Sequence, residues 1–378
     1  MACAVHRWPQ WLVGSLILLG FFLGAAPCLG LVPSWKFLVY GDSRGTDTTN
    51  QINSTILSEL AQVTLVEKPA FVLFPGDLVN SGNLAAFQQW TNLMAPVYRA
   101  GIGVYPVIGN HDAADVTSYI KIFGPSVPDN GPTGEIDRTY AFTYANALVL
   151  VLDAFIPNRT MRINQPWVNA VLATNRQPHV FAMSHVPAFK VAHPDCLDDY
   201  APERNAFWNS LSNAHCRMYF CGHDHFFDHM RVDDQDGNTN NDVHQVIVGT
   251  AGAPLAADGA YDGNNGSWKP SRVFHEAQYG YLSVQVDGDT VRSTWYHRTR
   301  KATYTATSEQ INYSLTPVVP PLTFTYSRSR LTFTWSGSSV LQTAPSLTGT
   351  FTNVPSATSP YVITNLSQAN RFYRLVAP

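Results

Sequence analysis

Short apolar runs alternate with stretches of helical periodicity from residue 35 to about residue 300. Residues 37–40 (FLVY) and 70–74 (AFVLF) are apolar runs of strand length. Further runs at 104–108, 148–152, 180–183, 218–220 and 246–248 predict more strands. Two segments at 281–286 and 291–296 flank Gly288-Asp289 and predict a hairpin. Between the first two runs, Ile52, Ile56, Leu60 and Val63 recur at helical spacing, which predicts a helix over 50–66 with Thr48 or Thr49 as its cap. Phe87, Trp90, Met94 and Val97 mark a second amphipathic helix. Strands interleaved with helices define a layered α/β domain.

The pattern changes after Asn312. Pro317, Pro320 and Pro321 predict a stiff linker over 313–321. Beyond it, 322–326 (LTFTY) and 331–335 (LTFTW) alternate apolar and hydroxyl residues with period two. Segments 361–363 and 371–376 supply further strands. Residues 322–378 therefore form a small β-sandwich-like module. It has four arginines and no acidic residue from 315 onward, and is expected to attach to a surface or another protein.

Charged residues make up 13% of the 378-residue chain, about half the usual share, which suits an exported protein. The net charge of −3 leaves no basic surface for general nucleic-acid binding. Residues 1–30 read as a signal peptide: His6 and Arg7 precede an apolar run of 14 residues at 11–24, and Gly30 is the expected last residue before cleavage. That run is short of the roughly 20 residues a membrane span needs, so a removable signal is read here, with an uncleaved anchor as the alternative. The expected destination is secreted or periplasmic. Export favours one disulfide among Cys196, Cys216 and Cys221, and the Cys196–Cys216 pair is preferred because Cys221 lies in an apolar strand.

Polar residues cluster directly after the apolar runs. Gly41-Asp42-Ser43-Arg44 follows the first, Gly76-Asp77 the second and Gly109-Asn110-His111-Asp112 the third. Ser184-His185 and Gly222-His223-Asp224-His225 follow two later ones. In an open α/β fold the carboxyl ends of strands line the ligand crevice, and glycines permit tight turns there. Asp, Asn and His delivered from five segments make a mixed oxygen and nitrogen donor set suited to Fe, Mn or Zn.

This ordered set resembles the calcineurin-like metallophosphoesterase superfamily, which includes the purple acid phosphatases. Its blocks are D-x-H, GD, GNH-D/E, a lone H and G-H-x-H, and the likeness spans about residues 36–297. The resemblance implies a four-layer α/β/β/α sandwich over 31–312, with two packed sheets flanked by helices. It also implies a metal pair and hydrolysis of small phosphate esters by a metal-activated hydroxide. Carried over by position, Asp77, Asn110, His185 and His223 hold one metal. Asp42, Asp77 and His225 hold the other, with Asp77 bridging. His111 becomes the proton donor to the leaving group, oriented by Asp112.

One block departs from the pattern. Arg44 stands where D-x-H has a histidine, and a guanidinium does not ligate cations. That leaves the first metal site one ligand short: either it keeps three protein ligands with water in the gap, or it is weak or empty. Arg44 is read as a fork-shaped clamp on substrate phosphate, with a salt bridge to a nearby Asp as the alternative. Asn80 occupies the place of the purple acid phosphatase tyrosine, so a tyrosinate–iron bond is not expected. Two other enzyme and non-enzyme readings remain: a phosphodiesterase for nucleotides or phospholipid head groups, and a non-catalytic binding protein on the same fold. The loop at 193–199 is read as an acidic surface loop tied down by Cys196, with lining of the substrate pocket as the alternative. The run Asp233 to Asp242 has the pattern of a calcium loop without the terminal Glu of an EF-hand, and is read as a solvated hairpin tip.

Overall fold

The computed structural model describes residues 33–259, 267–315, 322–327, 330–335, 339–364 and 371–376. These divide into two compact units that part between Leu315 and Thr316. The expected signal peptide lies outside the described residues, as does most of the expected linker.

In chain order the larger unit runs β1 (Trp35–Val39), α1 (Ser54–Glu67), β2 (Phe71–Phe74), α2 (Leu84–Arg99), β3 (Gly103–Pro106), α3 (Val116–Phe123), β4 (Tyr140–Tyr144) and β5 (Ala147–Val151). A two-strand ribbon follows, β6 (Phe155–Ile156) with β7 (Arg159–Thr160). Then come α4 (Gln165–Thr174), β8 (His179–Met183), α5 (Ala201–Asn213), β9 (Cys216–Cys221), β10 (Phe227–Asp233), β11 (Val243–Val248), β12 (Lys269–Glu276), β13 (Gly280–Asp287), β14 (Thr290–Arg300) and β15 (Thr303–Ser314).

One six-stranded sheet has the order β15-β14-β13-β1-β2-β3, and a seven-stranded sheet the order β12-β10-β11-β9-β8-β5-β4. β1, β2 and β3 are parallel, as are β5, β8, β9 and β11. The parallel strands β2, β5, β8 and β9 bury both faces, which explains their apolar runs, whereas β3 at the sheet edge leaves Gly103 and Tyr105 half-buried. Phe37, Val39, Phe71 and Leu73 face Phe181, Met218, Phe220 and Val246 in the core between the sheets. Their neighbours Leu38, Tyr40, Val72 and Phe74 point the other way, against α1, α2 and α3. Val180, Ala182, Tyr219 and Cys221 likewise pack on α4 and α5. The result is the expected four-layer sandwich.

Side-chain oxygens of Asn and Asp start the helices. Asn53, Asn83, Asn164 and Asp115 accept from the backbone N–H three residues on, at 3.3, 2.9, 3.3 and 3.0 Å. The first helix therefore begins at Ser54, not at residue 50. Asp47 ties residues 47–50 into a turn, and an antiparallel bridge between Arg44 and Ile52 closes this loop ahead of the helix.

The preferred disulfide does not form: Cys196, Cys216 and Cys221 are free, buried thiols. Cys216 opens β9 and Cys221 closes it. Cys196 is near Asp224 and Cys221, at the far end of that strand from Cys216. Five residues of strand span roughly 16 Å, well beyond the Cα separation of about 7 Å that a disulfide tolerates.

In the larger unit β4, β6, β7, β12 and β15 were not legible as apolar runs. β12 and β15 are edge strands, and most of their residues are exposed or half-buried. β15 runs through Ser314, two residues into the segment expected to be linker. Among its described residues the smaller unit has two three-stranded sheets. β16 (Thr323–Ser327), β17 (Arg330–Thr334) and β20 (Tyr361–Ile363) form one; β18 (Val340–Ala344), β19 (Thr352–Asn353) and β21 (Phe372–Val376) form the other. Leu331, Phe333, Trp335, Leu341 and Leu375 are their common core.

Candidate metal centre

The carboxyl ends of β1, β2, β3, β8 and β9 deliver all the expected donors to one place. Loop backbones are stitched together there. Asp42 N–H donates to the Gly76 carbonyl at 2.9 Å, Gly222 N–H to His185 at 2.8 Å and Ala253 N–H to Asp42 at 2.8 Å. Asp42, Asp77 and His223 adopt left-handed backbone conformations, with φ of 60°, 51° and 72°. Such values are uncommon for residues other than glycine and mark a functional constraint. The donors themselves make the turns that fold their side chains back over the strand ends. Two glycines serve close approach: a Cβ on Gly222 would lie 2.0 Å from Asp42 Oδ2, and one on Gly109 would lie 2.2 Å from Asp77 Oδ1.

Four acceptor atoms converge. His185 Nε2 is 3.0 Å from Asn110 Oδ1 and 3.5 Å from Asp77 Oδ1. His223 Nδ1 is 3.2 Å from Asn110 Oδ1 and 3.3 Å from His185 Nε2. His185 Nδ1 donates to the Pro75 carbonyl at 2.7 Å, which leaves the Nε2 lone pair facing inward. His225 is fixed the same way by the Pro254 carbonyl at 3.0 Å, and its Nε2 lies 3.8 Å from Asp42 Oδ1. Asp42 Oδ1 accepts from the His223 N–H at 2.9 Å, while Asp42 Oδ2 is buried with no hydrogen-bond partner. Asp42, Asp77 and His185 each offer a ligand atom within 4.8 Å of the others.

Electrostatics point the same way. Burial, then the Asp77 charge, pushes Asp42 well above the usual carboxylate range. Burial acts to raise Asp77 too, but His185, His111 and the His111 N–H hold it below that range. Burial drives His185 and His225 down to about 4, so both rings are neutral electron-pair donors at neutral pH. Crowded carboxylates, inward lone pairs and an orphaned oxygen are what a pair of cations would satisfy. The residues present fit that group.

Arg44 lies at the edge of the Asp42, Asp77 and His225 set. Its Nε is 3.8 Å from Asp77 Oδ2 and its Nη1 donates to Asn80 Oδ1 at 3.4 Å. The ion pair with Asp77 is the salt-bridge geometry weighed as the alternative. His111 is half-exposed, with Nε2 3.9 Å from Asp77 Oδ2. Its Nδ1 is 2.6 Å from the Asn80 carbonyl, so Asn80 orients this ring. Asp112 has a different task from the one expected. Its buried carboxylate accepts from the N–H groups of Leu78 at 3.0 Å, Val79 at 3.3 Å and Gly109 at 3.0 Å. It thereby clamps the Asp77 loop to the Asn110 loop. Burial, then the Asp77 charge, pushes Asp112 up to about 8 against those donors. Ser43 ties the first loop to the second: its hydroxyl donates to the Leu78 carbonyl at 2.8 Å and accepts from Trp90 Nε1 at 3.0 Å.

The loop at 193–199 is not merely an acidic surface. Asp224 accepts from the N–H groups of Ala192 at 3.0 Å and His193 at 2.9 Å, and lies 2.5 Å from His193 Nδ1. This places the His193 ring 4.5 Å from that of His223, centroid to centroid. Asp195 Oδ1 stands 3.4 Å from His223 Nε2. The available sequence signal was position alone, a polar loop leaving the C-terminal side of an apolar strand.

A two-sheet α/β/β/α sandwich with its donors at parallel strand ends defines a metal-dependent hydrolase architecture. The calcineurin-like phosphoesterase family profile matches residues 36–227, just over half the chain, and the chain belongs to that family. Membership implies a phosphoesterase domain with a dinuclear metal site. Among solved structures it is similar to a purple acid phosphatase from yellow lupin (Lupinus luteus) seeds, at 14% identity and TM-score 0.57, over 74% of this chain and 54% of that one. The chain thus spans about half the length of the lupin protein. It is also similar to PhoD, at 13% identity and TM-score 0.50, over 87% of this chain and 73% of that one. These likenesses concern the fold. No curated protein matches the sequence.

Proposed function

We propose that this chain is an exported phosphohydrolase whose metal pair is held by Asp42, Asp77, Asn110, His185, His223 and His225, with Asp77 shared. The observation that carries the reading is the convergence of Asn110 Oδ1, His185 Nε2, His223 Nδ1 and Asp77 Oδ1 beside the unpartnered Asp42 Oδ2. When bound, the cations supply charge that makes water nucleophilic near neutral pH and that screens the phosphoryl oxygens. The protein's own groups do the rest. Arg44 points its guanidinium at the phosphoryl oxygens, and Asn80 holds it there. The His111 ring, anchored through Nδ1 on the Asn80 carbonyl, delivers the Nε2 proton to the leaving oxygen. Asp112 keeps the Asp77 and Asn110 loops in register.

The test is phosphate release from paired monoester and diester forms of one aryl chromophore. The monoester is expected to turn over faster, in a reaction that chelation abolishes. His111→Ala is expected to slow an alkyl ester by about 10²–10⁴-fold and a good aryl leaving group far less. Full activity in both Asp77→Asn and His111→Ala variants would overturn the assignment. Export rests on residues 1–30 and is checked by N-terminal sequencing of the protein recovered outside the cytoplasm, expected to begin near residue 31.

A further inference from the structure

The hairpin joining β10 to β11 lies away from the metal centre. β10 begins just after His225 and runs seven residues, roughly 20 Å, to reach it. Asp233, Asp234 and Asp242 each present a carboxylate oxygen there, all within 4.8 Å of one another. Asp242 is the second and stronger observation. Its side chain is 1% exposed, and among the described residues no donor meets either carboxylate oxygen in full hydrogen-bond geometry, although the Asp234 N–H lies beside it. The neighbouring Asn241 Oδ1 is also buried without a donor. Arg231 Nε stands 3.3 Å from Asp242 Oδ2 without making a hydrogen bond, and the mostly buried Arg217 faces Asp234 and Asp242 from β9. Arg231 and Arg217 face these carboxylates and Lys269 stands opposite Asp233 on β12, yet neither guanidinium donates a hydrogen to Asp242 Oδ1. A buried acceptor of this kind calls for a cation.

We propose that Asp233, Asp234 and Asp242 hold a calcium ion at this hairpin. The nearby donors are oxygens, which selects a hard cation. Calcium binds oxygen at about 2.3–2.6 Å, so two ligand oxygens on one ion lie at most about 5 Å apart. The observed spacing meets that bound. The exposed tip between Gln235 and Asn240 leaves room for water to complete the shell. With no bidentate Glu in the run, affinity falls in the weak class of about 10⁻⁴–10⁻³ M. The ion ties the end of β10 to the start of β11 across a loop of nine residues, 234–242.

Trp268 precedes Lys269, the β12 partner of Asp233, and so serves as an antenna for terbium bound at the hairpin. The experiment uses the full chain with its catalytic metals in place. Terbium emission excited through tryptophan is expected to be displaced by calcium at a midpoint in the range above. Asp242→Asn and Asp234→Asn each lower it by about tenfold or more. Trp268→Phe loses the emission but keeps a calcium-induced rise in Tm of roughly 2–4 °C. Asp234→Asn loses that rise with phosphatase activity unchanged, and guards against misfolding of the more buried Asp242→Asn. Wild-type emission and Tm response persisting in both Asp variants, or no calcium response in the wild type, overturns the proposal.

Discussion

The Arg44 guanidinium neighbours three kinds of group: the Asp77 carboxylate, the Asn80 side chain and, through its charge, the His225 ring. It is held by ion pairing yet has a buried Nε without a hydrogen-bond partner, so it can turn a donor toward an incoming anion. A charged hydrogen bond to phosphate is worth about 1.5–3 kcal/mol, or roughly 10–150-fold in kcat/KM. Arg44→Ala is expected to lose that factor and to weaken inhibition by inorganic phosphate in parallel. Arg44→Lys keeps the charge but not the fork and falls between. Arg44→His restores the residue type of the family pattern and is expected to raise the metal content of the purified protein, measured by elemental analysis. Unchanged phosphate inhibition in Arg44→Ala would remove the clamp role and leave only the ion pair with Asp77.

Strand ends are the elements that make the site. Their glycines are set by clearance, which the sequence displays only as a letter. Gly222→Ala drives a Cβ into Asp42 Oδ2 and to 2.9 Å from the Pro75 carbonyl. The Asp42 carboxylate must then move, and metal affinity is expected to fall about 10–100-fold while the far-UV circular dichroism is kept. Native metal content in that variant would show that Asp42 is not a ligand. The donor residues were legible because each follows an apolar run, a pattern that survives in one dimension. What was not legible depended on the third. Asp112 serves backbone N–H groups of the Asp77 loop rather than the His111 ring, a choice made by how two loops meet. His193 and Asp195 reach His223 only because Asp224 folds their loop inward. The Asn53 cap replaced Thr48 or Thr49 because the Arg44–Ile52 bridge holds residues 45–51 in a loop and delays the helix. Cys196 and Cys216, close in the sequence, sit at opposite ends of β9. β15 escaped notice because an edge strand has little need of apolar residues.

For the larger unit as a whole, concentrating these charges at one end of two sheets ties stability to metal and pH. Without cations, Asp42 and Asp112 bind protons in the folded state at pH values where the unfolded chain, with carboxyls near 3.9, has released them. Their stabilising protonation is complete below about pH 4 and is lost as pH rises, through about 8 for Asp112. His193, raised chiefly by its bond to Asp224, acts in the same direction from its usual range upward. His185, His225 and His244 oppose them. Burial lowers these to about 4, 4 and 3, so each favours the fold increasingly as pH rises toward 6.5 and no further. The two trends offset one another below pH 6.5, and only the destabilising one remains above it. Chelated protein is therefore expected to lose Tm between about pH 6.5 and 8, whereas metal-loaded protein, with its carboxylates ionised against cations, stays level. Thermal denaturation of both forms across that window checks it. Parallel curves for the two would mean that Asp42 does not face a cation, and the dinuclear assignment would fall with it.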